Sequence, residues 1–170
     1  LRYPPISEFA QPMLRLAGLR VNPNTTGQYR PNYAVKLTLK SIKDGKEKSV
    51  QLPPNAQVVS PQWSADGERI AFGNVTPNGI ELWIADADSG KAKKLKNIQV
   101  NTTMNSGFQW MPDQKSLLVY TVPQNRGVAP QYLNLVPEGP SIQETAGRSG
   151  AIQTVQDLLK SPNDEKLFDY

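Results

Sequence analysis

Apolar and polar positions alternate along the middle of the chain, and that period of two sets the expected fold class. Tyr33, Val35, Leu37 and Leu39 alternate with Ala34, Lys36, Thr38 and Lys40, which places the apolar residues on one face of a strand. Asp44-Gly45 supplies a turn signal, and Val50 and Leu52 alternate again from Ser49. The segment predicts a hairpin with one solvated, lysine-bearing face. The pattern then tightens. Val58-Val59 leads through Trp63-Ser-Ala-Asp66-Gly67 to Ile70-Ala71-Phe72, then through Asn78-Gly79 to Leu82–Asp86, and through Ser89-Gly90 to Ala92–Leu95. Short strands parted by such turns predict an antiparallel meander of roughly forty residues, the size of a propeller blade.

A second copy begins at Gly107. Trp110 aligns with Trp63, Asp113 with Asp66, and Leu117-Leu118-Val119 with Ile70-Ala71-Phe72, in the same order and spacing. One Trp-x-x-Asp is a weak signal, whereas two in matching context make a repeat. In a blade each Trp can bury its ring against a neighbouring blade while its N–H finds a partner. The run after the Asp-Gly turn is expected to be buried on both faces. Blades cannot bury their faces alone, and a closed ring needs at least four. The expected fold is therefore all-β: a partial β-propeller of about two to three four-stranded antiparallel blades, with long Pro/Gly-rich loops.

The flanks lack this period. Residues 1–32 read as an irregular N-terminal segment, in which Met13, Leu14, Leu16 and Leu19 allow at most a helical turn before Gly18 and Pro23 interrupt it. Helix and loop readings of Ser7 to Leu16 both fit. The blades occupy 33–122, with repeats at 58–95 and 107–122, and 123–150 reads as a loop insertion rich in Pro, Gly and Gln. The segment 151–170 reads as a return toward a further blade, with short helical turns around Asp157–Leu159 and from Asp164 to Tyr170.

Composition narrows the chemistry. The 170 residues include no His and no Cys, which removes His-based triads, thiolate metal sites, iron–sulfur clusters and disulfides. The chain carries no catalytic residue of its own, and no cofactor is expected. The net charge of +4 permits nucleic-acid binding without arguing for it, and the clusters Lys36–Lys48 and Lys91–Lys96 read as solvated strand faces kept from aggregating by lysine. No aromatic interleaving points to base stacking, so no nucleic-acid partner is expected. Apolar runs such as Leu117–Val122 are too short to span a bilayer. The opening Leu-Arg-Tyr-Pro-Pro is neither an initiator Met nor a signal peptide, so the chain reads as mature or truncated.

Smaller motifs have competing readings. Asp86-Ala-Asp88-Ser-Gly90 resembles the start of a calcium loop but lacks its later ligands, and a polar hairpin turn is the expected alternative. Asn24, Asn74 and Asn101 each head an Asn-x-Thr glycosylation pattern. Trp83 and Trp110 fit either ligand stacking or packing between blades, with packing favoured by their place in the repeat. Arg30 and Arg126 fall in loops, where a guanidinium fork suits a carboxylate.

Several stretches together carry a family resemblance. Leu1–Ala10 with Leu16-Ala-Gly-Leu-Arg20, then Asn24-Thr25 and Arg30, is similar to the N-terminal region of glutamyl endopeptidase-like members of the prolyl oligopeptidase family. Val58 to Asp86 resembles the TolB-type propeller repeat found there. Pro123–Gly127, Leu135–Pro137, Gly139-Pro140, Gln156–Leu159 and Leu167–Tyr170 follow in the family's order. The resemblance implies a serine peptidase whose propeller covers the active site and admits peptides or unfolded segments. Its implied partners are a C-terminal α/β-hydrolase domain of the same protein and a peptide substrate. It also implies that Arg30 faces an interdomain cavity and pairs with a substrate carboxylate. This chain has no Gly-x-Ser-x-Gly elbow, so no catalytic residue is carried over. The compartment follows the source: periplasmic or secreted in a bacterium, plastid stroma in a plant. The alternative is a non-catalytic TolB-like propeller that binds a protein partner.

Overall fold

The densest alternation becomes the largest sheet. A computed structural model of the chain describes Ile6, residues 10–131, Gly147 and residues 157–170. Among these residues the protein is mostly β: 11 strands in four small antiparallel sheets and one short helix, with no closed barrel. Strands β1 (Leu14–Leu16), β2 (Leu19–Asn22) and β3 (Gly27–Gln28) form the first sheet, and β4 (Thr38–Lys40) pairs with β5 (Glu47–Ser49) in the second. The central sheet runs β6 (Val58–Trp63), β7 (Arg69–Thr76), β8 (Gly79–Asp86) and β9 (Ala92–Gln99) as an up-and-down meander. A last pair, β10 (Phe108–Trp110) and β11 (Leu117–Val119), precedes the helix α1 (Pro162–Asp169).

Strand β7 is apolar on both faces because it separates two cores. Ile70 and Phe72 point into one, with Val50, Ala56, Val58 and Ala85. Ala71 points into the other, with Val59, Ile80, Leu82, Val100 and Phe108. The first core fills the space toward the β4–β5 hairpin, whose Leu37, Leu39 and Leu52 pack on it. The second fills the space toward β10–β11, through Trp110, Leu117 and Val119.

The two Trp-x-x-Asp copies share the backbone bonds of their turns. Ser64 N–H donates to the Arg69 carbonyl at 2.9 Å and Gly67 N–H to the Ser64 carbonyl at 3.0 Å; at the aligned positions Met111 donates to Ser116 at 2.9 Å and Gln114 to Met111 at 3.0 Å. Asp66 Oδ1 accepts from Glu68 N–H at 3.0 Å, as Asp113 Oδ1 accepts from Lys115 N–H at 2.9 Å. The aligned pairs Ser60/Gly107 and Gly67/Gln114 all have positive φ. The other end of the sheet repeats too. The β8–β9 turn has Gly90 N–H on the Asp86 carbonyl and Asp86 N–H on the Lys91 carbonyl; the β4–β5 turn has Gly45 on Ser41 and Ser41 on Lys46. Gly45 and Gly90 share φ near 70°.

Three expectations need correction. Residues 13–19 form a hairpin rather than a helical turn or loop: Leu14 pairs with Val21 and Leu16 with Leu19 across Ala17-Gly18, which have φ of 50° and 79°. An Ala in the left-handed region is not a usual turn signal, so the sequence hides this turn. The alternation from Tyr33 to Leu39 breaks in its middle. Ala34 bridges Val58 and packs on the core, while Val35 is 71% exposed, and only Thr38–Lys40 is a strand. Core positions Ala34 and Leu37 lie an odd number of residues apart, so one straight strand cannot present both. Asp157–Leu159 is not helical; the helix starts later, where Ser161 forms a capping box with Asp164 and Pro162 opens the first turn. Leu1–Pro5, Leu135–Pro137, Gly139-Pro140 and Gln156 lie outside the described residues.

The central sheet carries one partly buried charge cluster. The Glu81 carboxylate accepts from Asn74 Nδ2 at 3.3 Å, Trp83 Nε1 at 2.9 Å and Lys94 Nζ at 2.6 Å. Burial raises its pKa, but the bonds from Lys94, Trp83 and Asn74 outweigh that and leave it below the ordinary 4.5. A depressed carboxylate stabilises the fold above its unfolded value and loses that contribution as pH falls through the folded one. The stability gap between the native protein and Glu81→Gln is therefore expected to be constant from pH 7 to about 5 and to shrink at lower pH. Urea midpoints of both proteins across that range test it; a gap unchanged at pH 3 would sink the assignment.

Candidate functional site

The β2–β3 turn is built around a buried asparagine. The Asn22 side chain donates to Gln11 Oε1 at 2.8 Å and accepts from Asn24 N–H at 3.0 Å, while its carbonyl accepts from the N–H groups of Thr25 and Thr26. Gly27 then passes close to Thr102 and Ile80, where an added Cβ would lie 2.6 Å from Thr102 Oγ1. Across from this turn, Gln57 is fixed by its N–H on Asn74 Oδ1 at 3.0 Å and by Val75 N–H on its carbonyl at 2.9 Å. The β7–β8 turn is closed by Thr76 Oγ1 on the Gly79 carbonyl at 2.8 Å.

Between these elements lies a cleft of about 690 Å³. Its lining is dominated by carboxamides: Asn24, Gln28 and Asn32 on one side, Asn55 and Gln57 on the other, with Asn22 and Gln11 at the base of the turn. Arg30, Tyr33, Thr25 and Thr76 complete the polar lining, and among the described residues no Asp or Glu contributes to it. Arg30 has φ of 51°, a left-handed backbone inside an exposed loop. Arg126 is elsewhere. Its guanidinium stacks 4.0 Å from the centre of the Tyr170 ring, and Nη1 lies 3.3 Å from the Tyr170 carbonyl and 3.5 Å from Thr26 Oγ1. The structure thus sets Arg30 in the cleft and Arg126 outside its lining, against the chain's last residue.

The remaining candidates resolve into structural roles. Asp86 takes Ser89 Oγ and N–H at 2.6 and 2.7 Å, and these bonds lower its pKa, the hydroxyl foremost. Asp88 faces Lys48 at 3.8 Å, so the calcium-like run is a polar hairpin turn. Among the described residues no three His, Cys, Asp or Glu side chains gather to hold a metal ion. Asp66 and Asp113 are likewise lowered, by Ser64 and Ser116 hydroxyls first and then by turn N–H groups. Part of the lysine surplus is paired, Lys40 with Glu47, Lys46 with Asp44 and Lys94 with Glu81. Among the described residues no helix is long and apolar enough to cross a membrane.

Trp83 lies parallel to Phe72 with ring centres 6.3 Å apart, and Trp110 packs on the second core with Nε1 on the Gln62 carbonyl at 3.1 Å. Trp63 departs from the expected burial and is 54% exposed. Of the glycosylation patterns, Asn74 is buried and committed to Gln57 and Glu81, and Asn101 holds Thr103, whereas Asn24 is exposed at the cleft.

The cleft itself was not anticipated. Asn22, Asn24, Gln28 and Asn32 are dense enough to notice, but nothing local indicates that Asn55 and Gln57 come to face them.

No family model matches the chain. Among curated proteins it is 35% identical to a probable chloroplastic glutamyl endopeptidase of Oryza sativa subsp. japonica and 34% identical to one of Arabidopsis thaliana. Both alignments take in 98% of this chain, which spans only 19% and 18% of those proteins. Over nearly its whole length the chain is thus similar to glutamyl endopeptidases, and it spans about a fifth of their length.

Proposed function

We propose that the chain is part of an N-terminal β-propeller of a prolyl oligopeptidase-type serine peptidase, and that it gates the access of peptides to an α/β-hydrolase domain elsewhere in the same protein. The observation that carries this reading is the series of matched turns. The β4–β5 turn repeats the β8–β9 turn, and the β10–β11 turn repeats the β6–β7 turn. The chain is thus read as the outer half of one blade, a whole blade, and the inner half of a third. The two cores occupy the two spaces between them. Leu118 and Tyr120, 47% and 56% exposed, align with the buried Ala71 and Gly73, which supports a further blade covering them. The relatives' names supply the peptidase.

In this reading both arginines serve substrate binding. Arg30 pairs with a substrate carboxylate from the cleft, and Arg126 offers the guanidinium N–H groups that Thr26 and Tyr170 do not take. The test is the intact mass of the full-length protein before and after a fluorophosphonate probe. One added probe mass is expected, and an unlabelled full-length protein overturns the peptidase reading. On the labelled enzyme's uninhibited counterpart, Arg30→Ala is expected to lower kcat/KM for Glu-containing peptides about 10- to 100-fold relative to their Gln analogues. An unchanged ratio would remove Arg30 from the site.

A further inference from the structure

We propose that the carboxamides lining this cleft bind an extended peptide through its main chain, leaving any selection among side chains to Arg30. The side-chain amides of Asn24, Gln28, Asn32, Asn55 and Gln57 line it and make no hydrogen bond among the described residues. Each carboxamide presents a donor and an acceptor side by side, the same pair that a peptide group presents. Two-point pairing of a carboxamide with a backbone amide reads the chain and ignores the sequence.

The walls are held in place before any ligand arrives. Gln28 sits on β3 opposite Val21, and Gln57 is pinned to β7 by the Asn74 side chain and the Val75 N–H. The backbone of both walls is therefore fixed, and binding has only the amide side chains to order. The lining also speaks against other chain-like ligands. Among the described lining residues Tyr33 is the single aromatic, where a sugar chain needs stacking platforms, and Arg30 the single cation, where a nucleic-acid backbone needs several. The choice of a peptide rests in part on the peptidase reading, whereas the pairing chemistry is the cleft's own.

The experiment uses full-length protein pretreated with the fluorophosphonate, a fluorescein-labelled Gly-Ser repeat peptide, the same peptide N-methylated at alternate amides, and cellohexaose as competitor. N-methylation deletes donors and leaves side chains alone, so it is expected to weaken binding at least about tenfold. The double substitution Gln28→Ala, Gln57→Ala is expected to weaken the unmethylated peptide similarly, with the urea midpoint unchanged. Equal binding of both peptides, no peptide binding, or displacement by cellohexaose without an N-methyl effect overturns the proposal. A protein that takes no probe but shows the N-methyl effect and its loss in the variant keeps the cleft and loses the peptidase. A labelled protein without them keeps the peptidase and loses the cleft.

Discussion

Phe72→Ala is expected to destabilise the protein by about 3–5 kcal/mol. Phe72 is 0% exposed at the middle of β7 and has no partner that can move in to replace it. Its neighbours come from both sides of the first core: Val58 and Ala85 from flanking strands of the same sheet, Val50 and Ala56 from the segment joining β5 to β6. Val58 and Ala85 are held by their strands and Val50 by its N–H on the Leu37 carbonyl, so the space left by the ring stays largely open and most of the cavity term remains. Urea unfolding followed by tryptophan fluorescence reads the loss directly, because Trp83 lies against the Phe72 ring. The native-state emission of Trp83 should shift as well. A loss under about 1 kcal/mol would mean that the first core is not closed as described.

The same strand explains what the sequence disclosed and what it withheld. Ile70-Ala71-Phe72 reads as a doubly buried strand because all three residues are apolar, and both cores are found there. The turns with Gly at a left-handed position were equally legible, since only Gly takes that backbone without strain. Where a turn uses another residue, the signal vanishes. Ala17 and Ser60 have φ of 50°, and neither the first hairpin nor the kink in β6 could be read from them. The register change between Ala34 and Leu37 was hidden for a different reason. Tyr33 and Val35 continue an unbroken alternation, and only the bridge of Ala34 to Val58 reverses it, a contact between residues far apart in the chain. The site follows the same rule. Arg30 was legible as a loop arginine, whereas the cleft around it is assembled from the β2–β3 turn, the approach to β6 and the β7–β8 turn, which no local pattern joins.

Gly107→Ala is expected to cost well over 2 kcal/mol, and Gly67→Ala only about 1–2 kcal/mol. Both glycines have positive φ, 80° and 73°, so both substitutions incur the left-handed penalty. They differ in what the added methyl meets. Around Gly67 nothing lies within 4 Å, and the aligned Gln114 already holds a side chain at φ of 59°. At Gly107 the methyl would overlap Val100 Cγ1 and lie 2.7 Å from the Asn101 carbonyl oxygen and 2.9 Å from Thr102 Cγ2. None of these can retreat cheaply. Val100 is 0% exposed in the second core, and the Asn101 backbone is tied to β11 by its N–H on the Tyr120 carbonyl at 2.9 Å. Tyr120 N–H in turn donates to the Gly107 carbonyl at 2.8 Å, so the crowding falls on the junction where the second copy joins the central sheet. Thermal or urea unfolding of the two variants side by side separates the terms. If they cost the same, β10 does not approach residues 100–102 as closely as described, and the packing of the second copy against the central sheet would have to be redrawn.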